Sequence, residues 1–304
     1  MRNCFTKKGY KFLVVMAISL ASLSVSVSMA AEGTPSGTPQ AEEQDDQNLA
    51  ELNKQLNNPV SSVWSLTFQN NFTFLEGRLT DNTKEFYNLN FQPALPFRLT
   101  KDWNLIARPV FPLFASRDVY NPLTRTFDGK SGIGDIGLVT LLSPAKVGKF
   151  LWGVGPTFSF PTASPDELGS KKWQMGPAAV GLYLGKKWVF GLFPQHWWST
   201  GGSGDKNVSF TNIQYFVWHL LPENWQVGMS PSITIDWKAT GGNAYTVPIG
   251  FGVGKLIKFG KLPVKFQLAA YYSVVRPDDL GTRWNIQFTV TPVIPPLIKN
   301  VLIK

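Results

Sequence analysis

Few residues in this 304-residue chain are of types that do chemistry, and their spacing limits what they could do. A hydrolytic site needs a nucleophile and a base on one face, within hydrogen-bond reach. His196 and Ser199 stand three apart, which places them on opposite faces of an extended strand. The other histidine, His219, has Val217 and Leu221 as its same-face neighbours. Asp166-Glu167 and Asp278-Asp279 are adjacent pairs whose side chains point apart. They suit solvation, or bridging of divalent ions between lipid head groups, better than acid–base catalysis. Gly132, Gly134 and Gly137 match G-x-G-x-x-G, but residues 138–142 continue as a strand, so no helix N-terminus follows to receive a pyrophosphate. Gly129-Lys130-Ser131 carries Arg125 where a phosphate loop needs its first glycine. No catalytic residue, metal ligand set or cofactor is expected, and no nucleic-acid partner.

What must position any site is a chain with 43% hydrophobic but only 16% charged residues, 22 Phe, 11 Trp, 27 Gly and 22 Pro. Beyond residue 30 no run reaches the ~20 apolar residues of a spanning helix. So many glycines and prolines argue against an all-helical protein. Arg2, Lys7, Lys8 and Lys11, then an apolar core over 12–23 and the small-x-small site Ser28-Met29-Ala30, read as a signal peptide over 1–30. Its removal takes Cys4 with it and predicts export. The net charge of +9 separates into +4 for that leader, −5 for residues 31–58 and +10 for the rest.

Residues 31–58 form a periplasmic arm. A Gly/Pro/Ser/Thr linker leads to a short amphipathic helix opened by Glu42, Glu43, Asp45 and Asp46, with Leu49, Leu52 and Leu56 on one face and a stop at Asn57-Asn58-Pro59. Such an acidic arm either trails as a tether or folds onto the basic domain as a plug, although surface attraction is screened over about 8 Å at physiological salt.

From Trp64 onward the pattern has period two. Trp225, Val227, Met229, Pro231, Ile233, Ile235 and Trp237 alternate with polar or small residues, and the same two-faced reading recurs along the chain. Twelve strands are expected within 59–296, with 297–304 as a tail. Short connections alternate with longer, more acidic or Gly-rich ones. The fold class is therefore all-β: a transmembrane antiparallel β-barrel of about 12 strands with a short N-terminal helical arm. Prolines inside the strands, among them Pro93, Pro109, Pro112, Pro177, Pro194, Pro231 and Pro248, call for bulges or open pairing.

Trp64, Trp103, Trp152, Trp188, Trp218 and Trp225 fall near short-turn ends, and Trp173, Trp197, Trp198, Trp237 and Trp284 near long-loop ends, the placement of two aromatic girdles. The inward charges Arg108, Asp135, Asp236, Lys238 and Lys265 are the lumen-lining candidates. Expected partners are outer-membrane lipids, a small-molecule solute and the barrel-assembly machinery.

The runs Phe68-Gln69-Asn70-Asn71-Phe72, Lys101-Asp102-Trp103-Asn104-Leu105-Ile106, Gly132-Ile133-Gly134-Asp135-Ile136, Leu142-Ser143-Pro144-Ala145-Lys146 and Asp166-Glu167-Leu168-Gly169-Ser170 resemble a known family. It is the family of outer-membrane transporters named for the MetA (meta-cleavage) pathway of phenol degradation, often mislabelled neuromedin U. The resemblance implies a barrel in the outer membrane that passes small compounds, hydrophobic or aromatic ones among them. The alternatives are a structural or adhesion barrel and, more remotely, an outer-membrane lipid hydrolase. The chain departs from the family at its end, where Pro292, Pro295 and Pro296 replace an aromatic-rich close.

Overall fold

The computed structural model describes residues 39–146 and 148–298. The expected leader, the linker up to residue 38 and the end of the tail lie outside the described residues. A helix, α1 (Pro39–Gln55), precedes fourteen strand segments: β1 (Ser65–Gly77), β2 (Thr80–Arg98), β3 (Trp103–Asn121), β4 (Thr126–Gly132), β5 (Ile136–Pro144), β6 (Phe150–Phe160), β7 (Lys172–Leu184), β8 (Trp188–Gly202), β9 (Ser209–Leu220), β10 (Trp225–Met229), β11 (Ser232–Asp236), β12 (Tyr245–Phe259), β13 (Leu262–Val275) and β14 (Gly281–Pro292). The chain divides into Met1–Glu43 and the far larger Gln44–Lys304, which holds the barrel and the end of α1.

Every pairing is antiparallel, and β1 pairs with both β2 and β14, which closes the sheet. β4 and β5 both pair with β3 and are halves of one stave, parted at residues 133–135. β10 and β11 are likewise halves of the stave between β9 and β12. The molecule is therefore a closed transmembrane β-barrel of twelve staves. The alternating run 225–237 is one stave, but it breaks at Pro231.

The outside of the barrel is apolar. Phe150 and Phe251 are 76% and 62% exposed, and Leu192 and Leu268 are also exposed on the outer face. Surrounding such side chains with lipid instead of water is worth about 1.5–3 kcal/mol each. Trp152, Trp188 and Trp225 are exposed at the short-turn ends of their strands, and Trp173, Trp198, Trp237 and Trp284 at the long-loop ends. Trp103 meets Trp152 edge to face at 5.9 Å.

Three tryptophans depart from the girdle expectation. Trp218 is only 2% exposed and turns into the barrel. The residue opposite it on β10 is Gly228. Trp64 is buried, its indole N–H donating to the Pro96 carbonyl at 2.9 Å. Trp197 shares the strand face of the buried Phe193, which also places it inward.

The strand prolines open the ladder. Pairing of β2 with β3 lapses between Phe91 and Leu95, beside Pro93 and Pro109, and its register shifts at Pro112. β7 and β8 skip the positions of Pro177 and Pro194. The widest gap lies between the β10/β11 stave and β12. There only Trp225–Gly228 and Thr234–Ile235 find partners, with Pro231 and Pro248 between them. A residue without an N–H cannot donate to a ladder.

Candidate functional site in the barrel bore

The inner wall has two characters. Toward the short-turn rim, β3 and β5 to β9 send Ile106, Leu141, Leu151, Val180, Leu182, Val189, Phe193 and Trp218 inward as one buried apolar cluster. That cluster packs, through Val60, against a stretch of chain crossing the bore, residues 53–61, which runs from the last turn of α1 toward β1. On one side of the bore Asn57 Nδ2 donates to Gln226 Oε1 at 2.8 Å, and Lys265 Nζ donates to Asn57 Oδ1 at 2.8 Å. On the other side the Arg108 guanidinium donates to the Pro59 carbonyl at 3.0 Å, and Val60 joins the apolar cluster. Asn53 Nδ2 donates to the Asn224 carbonyl in the short turn before β10 at 2.9 Å.

This crossing segment is local in its making. The Asn58 side chain accepts from Val60 N–H at 3.0 Å, an Asx turn that redirects the chain across the lumen just after the helix ends. Asn53 and Asn57 lie one helical turn apart and are 2% and 7% exposed, while the leucine face of α1 is only half-buried. The helix thus docks through amides, not through its leucines. Sequence patterning marks Asn57-Asn58-Pro59 as a helix stop but carries no sign of its partners.

Toward the long-loop side, the bore widens into a polar chamber of about 260 Å3. Its walls include Gln69 and Asn71 of β1, Gln287 of β14, Tyr271 and Ser273 of β13, and Ser230 of the broken stave. The amides are mutually bonded: Gln287 Nε2 donates to Asn71 Oδ1 at 3.0 Å, and Gln69 Nε2 donates to the same oxygen at 3.2 Å. At the stave break, side chains replace the lost ladder. Gln214 Nε2 donates to the Ser230 carbonyl at 3.2 Å, and the Ser230 N–H donates to the Tyr271 hydroxyl at 3.4 Å.

The mouth is narrowed by the loop between β6 and β7. Asp135, in the break between β4 and β5, accepts from Ala163 N–H at 3.1 Å, Ser170 N–H at 2.7 Å and Ser170 Oγ at 3.0 Å. The short 3-10 turn 166–168 of that loop is held further by ion pairs of Lys130 with Glu167 at 3.1 Å and of Lys171 with Asp166 at 2.9 Å. Backbone N–H donation and Lys130 lower the pKa of Glu167, and the hydrogen bond to Asp166 raises that of Lys171.

The five lumen candidates therefore separate. Arg108 and Lys265 reach into the bore and hold the crossing segment. Asp135 ties down a loop at the mouth. Asp236 ends its strand by accepting from Lys238 N–H at 2.9 Å, and Lys238 is exposed in the rim turn beyond the strand instead of lining the lumen. The acidic pair Asp278-Asp279 is met by Arg78, 2.9 Å from Asp279, and by Asn243 at 2.8 Å, so the chain's own groups occupy the place foreseen for a bridging ion. His196 and Ser199 are apart in their bonding: His196 Nδ1 is 2.7 Å from Thr211 Oγ1, while Ser199 Oγ donates to Asn207. Among the described residues no group of three His, Cys, Asp or Glu is placed to hold a metal.

No known family pattern matches the chain, and neither does any curated protein. The chain is similar in structure to the COG4313 outer membrane channel from Pseudomonas putida F1, at 15% identity and a TM-score of 0.57 over 76% of this chain and 94% of that one. More distantly, it resembles the translocator domain of autotransporter NalP from Neisseria meningitidis, at 8% identity and a TM-score of 0.44 over 84% of this chain and 96% of that one. A FadL homologue of Pseudomonas aeruginosa follows at 9% identity and a TM-score of 0.35, over 79% of this chain and 93% of that one. At these identities the likeness is one of fold, and what the comparisons establish for this chain is the outer-membrane type of β-barrel.

Proposed function

We propose that this protein is an outer-membrane channel for the passive passage of small compounds, delivered there by a cleaved leader and inserted by the barrel-assembly machinery. The observation that carries the reading is the crossing segment. Residues 53–61 occlude the bore through a few hydrogen bonds and one apolar seat, without being part of the sheet. A barrel serving only structure or adhesion has no use for a separable occluding element next to an internal polar chamber.

A second reading concerns the solute. If Val60 leaves its seat, the wall it uncovers is apolar, with Ile106, Leu141 and Val180 foremost, which favours passage of hydrophobic or aromatic compounds. Planar-bilayer recording tests the channel itself. The full chain should show small or brief conductance, and a variant lacking residues 32–58 a larger and steadier one. Absence of any opening in both, together with unchanged solute uptake in cells lacking the protein, would leave the structural reading.

A further inference from the structure

We propose that the polar chamber on β1 and β9 to β14 is a binding site for a neutral polyhydroxylated solute, of monosaccharide size or smaller. This names a solute class for the channel proposed above, in place of the hydrophobic compounds of its second reading, and rests on the channel reading for its biological use, although binding can be measured without flux.

Three observations point the same way. The first is the chemistry of the wall. None of the residues lining the chamber is Asp, Glu, Lys or Arg; they are amides and hydroxyls together with Pro231, Pro248 and Tyr271. Each amide offers both donor and acceptor, and each hydroxyl does the same. A charged solute entering would lose water without gaining a counter-charge. An apolar solute would strand the wall's polar groups, each left without the bond it makes in water. A polyol loses least, because its hydroxyls can take up both kinds of bond.

The second is an unfilled valence. Ser273 lies on the chamber wall, is 1% exposed, and its hydroxyl finds no hydrogen-bond partner. Buried hydroxyls are nearly always satisfied. Turning this side chain about χ1 toward the chamber would let a solute hydroxyl satisfy it.

The third is preorganisation. Asn71 and Thr73, 6% and 8% exposed, are held by Gln287 and Asn285 respectively, so the donors and acceptors are already ordered before a solute arrives. Prior ordering lowers the entropic cost of binding. The volume of about 260 Å3 lies just under the ~300–1,000 Å3 of pockets for drug-sized ligands, which suits a pentose or a shorter polyol.

Saturation-transfer NMR on the full-length protein in detergent, with L-arabinose as the probe, tests the site. The wild type and the loop variant Asn82→Leu should bind arabinose within twofold of each other. The double variant N71L/Q287L should bind it at least fivefold more weakly, with barrel folding checked by heat-modifiable gel migration. Ser273→Ala, a smaller change, should weaken binding about two- to threefold and serves if the double variant does not fold. Arabinonate, of similar size but anionic, and toluene should fail to displace arabinose. Displacement by either, equal affinity in all variants, or no saturation transfer in the wild type would overturn the proposal. Conductance recorded on the same preparations keeps the two readings apart. Binding without conductance removes the channel and leaves the site, and conductance without binding does the reverse.

Discussion

Lys265 Nζ donates to Asn57 Oδ1 over 2.8 Å, which places the amine of a 1% exposed lysine of β13 against an amide from a segment that belongs to no strand. Among the described residues Lys265 has no ion pair, so this amide is central to its solvation inside the bore. Asn57 also exchanges two bonds with Gln226, at 2.8 and 3.3 Å. Asn57→Leu removes all of these at once and leaves a buried lysine amine and a buried amide unmet, a cost of about 1–3 kcal/mol for each group. The segment should then leave the bore more often, and single-channel conductance should rise several-fold. Replacing the whole polar group, as in N57L/Q226L/K265M, strands only the Asn53 carbonyl, which Asn57 Nδ2 meets at 3.2 Å, and should return conductance most of the way to wild type. Wild-type conductance in the single variant would show that other contacts hold the segment.

The loop at the mouth gives a separate handle. Asp135 accepts three bonds from residues 163 and 170, and hydrogen bonds to charged groups are worth about 1.5–3 kcal/mol. Asp135→Ala should free the loop and raise the rate of tryptic cleavage after Lys171 at least tenfold. Asp135→Asn, which keeps one acceptor oxygen, should fall between. Equal cleavage in all three proteins would mean that the ion pairs alone hold the loop.

Acid should loosen the same loop. The pKa of Glu167 is lowered in the folded protein, so its contribution is complete above the usual carboxylate value of about 4.3 and is lost as pH falls through the lower, folded value. Lys171 behaves in the opposite sense. Its pKa is raised, so its tie to Asp166 persists through the usual lysine value of about 10.4 and is lost only above it. Hydrogen-exchange protection of Gly169 and Ser170 should therefore stay level between about pH 5 and 9 and fall below about pH 4. Glu167→Gln should lessen the acid-side fall, and an unchanged fall would assign it to other carboxylates.

The twelve staves are readable in the sequence because lipid outside and polar groups inside impose alternation residue by residue, and that signal is local. The strand prolines likewise announce their open pairings, Pro231 and Pro248 most clearly. What escapes such reading is long-range pairing. Asn57 is 169 and 208 residues from Gln226 and Lys265, and nothing in a helix-stopping Asn-Asn-Pro run points to either. Asp135 counts as a lumen charge by its parity, and only the folded loop shows that its oxygens are already engaged. Trp218 sits where a girdle tryptophan should, but its parity on β9 is that of Gln214 and Phe216, which turn inward, and its neighbour across the pair is Gly228.

That neighbour supplies the last prediction. Gly228 adopts a φ of +153°, a conformation side chains rarely take, and a Cβ there would run into the Val217 carbonyl and the Trp218 backbone. Substitutions at incompatible backbone positions destabilise by more than the ~0.4–1 kcal/mol that Gly→Ala gains where it fits. The clash is with the backbone that carries Trp218, whose indole belongs to the apolar cluster packed against residues 53–61. Gly228→Ala should lower the temperature at which the folded band converts to the unfolded one on a gel by several degrees. It should also raise conductance, because the seat of Val60 is disturbed with it. Gly201→Ala is the control, since a Cβ there meets nothing within 4 Å. A melting temperature unchanged in both variants would mean that the strand tolerates the strain.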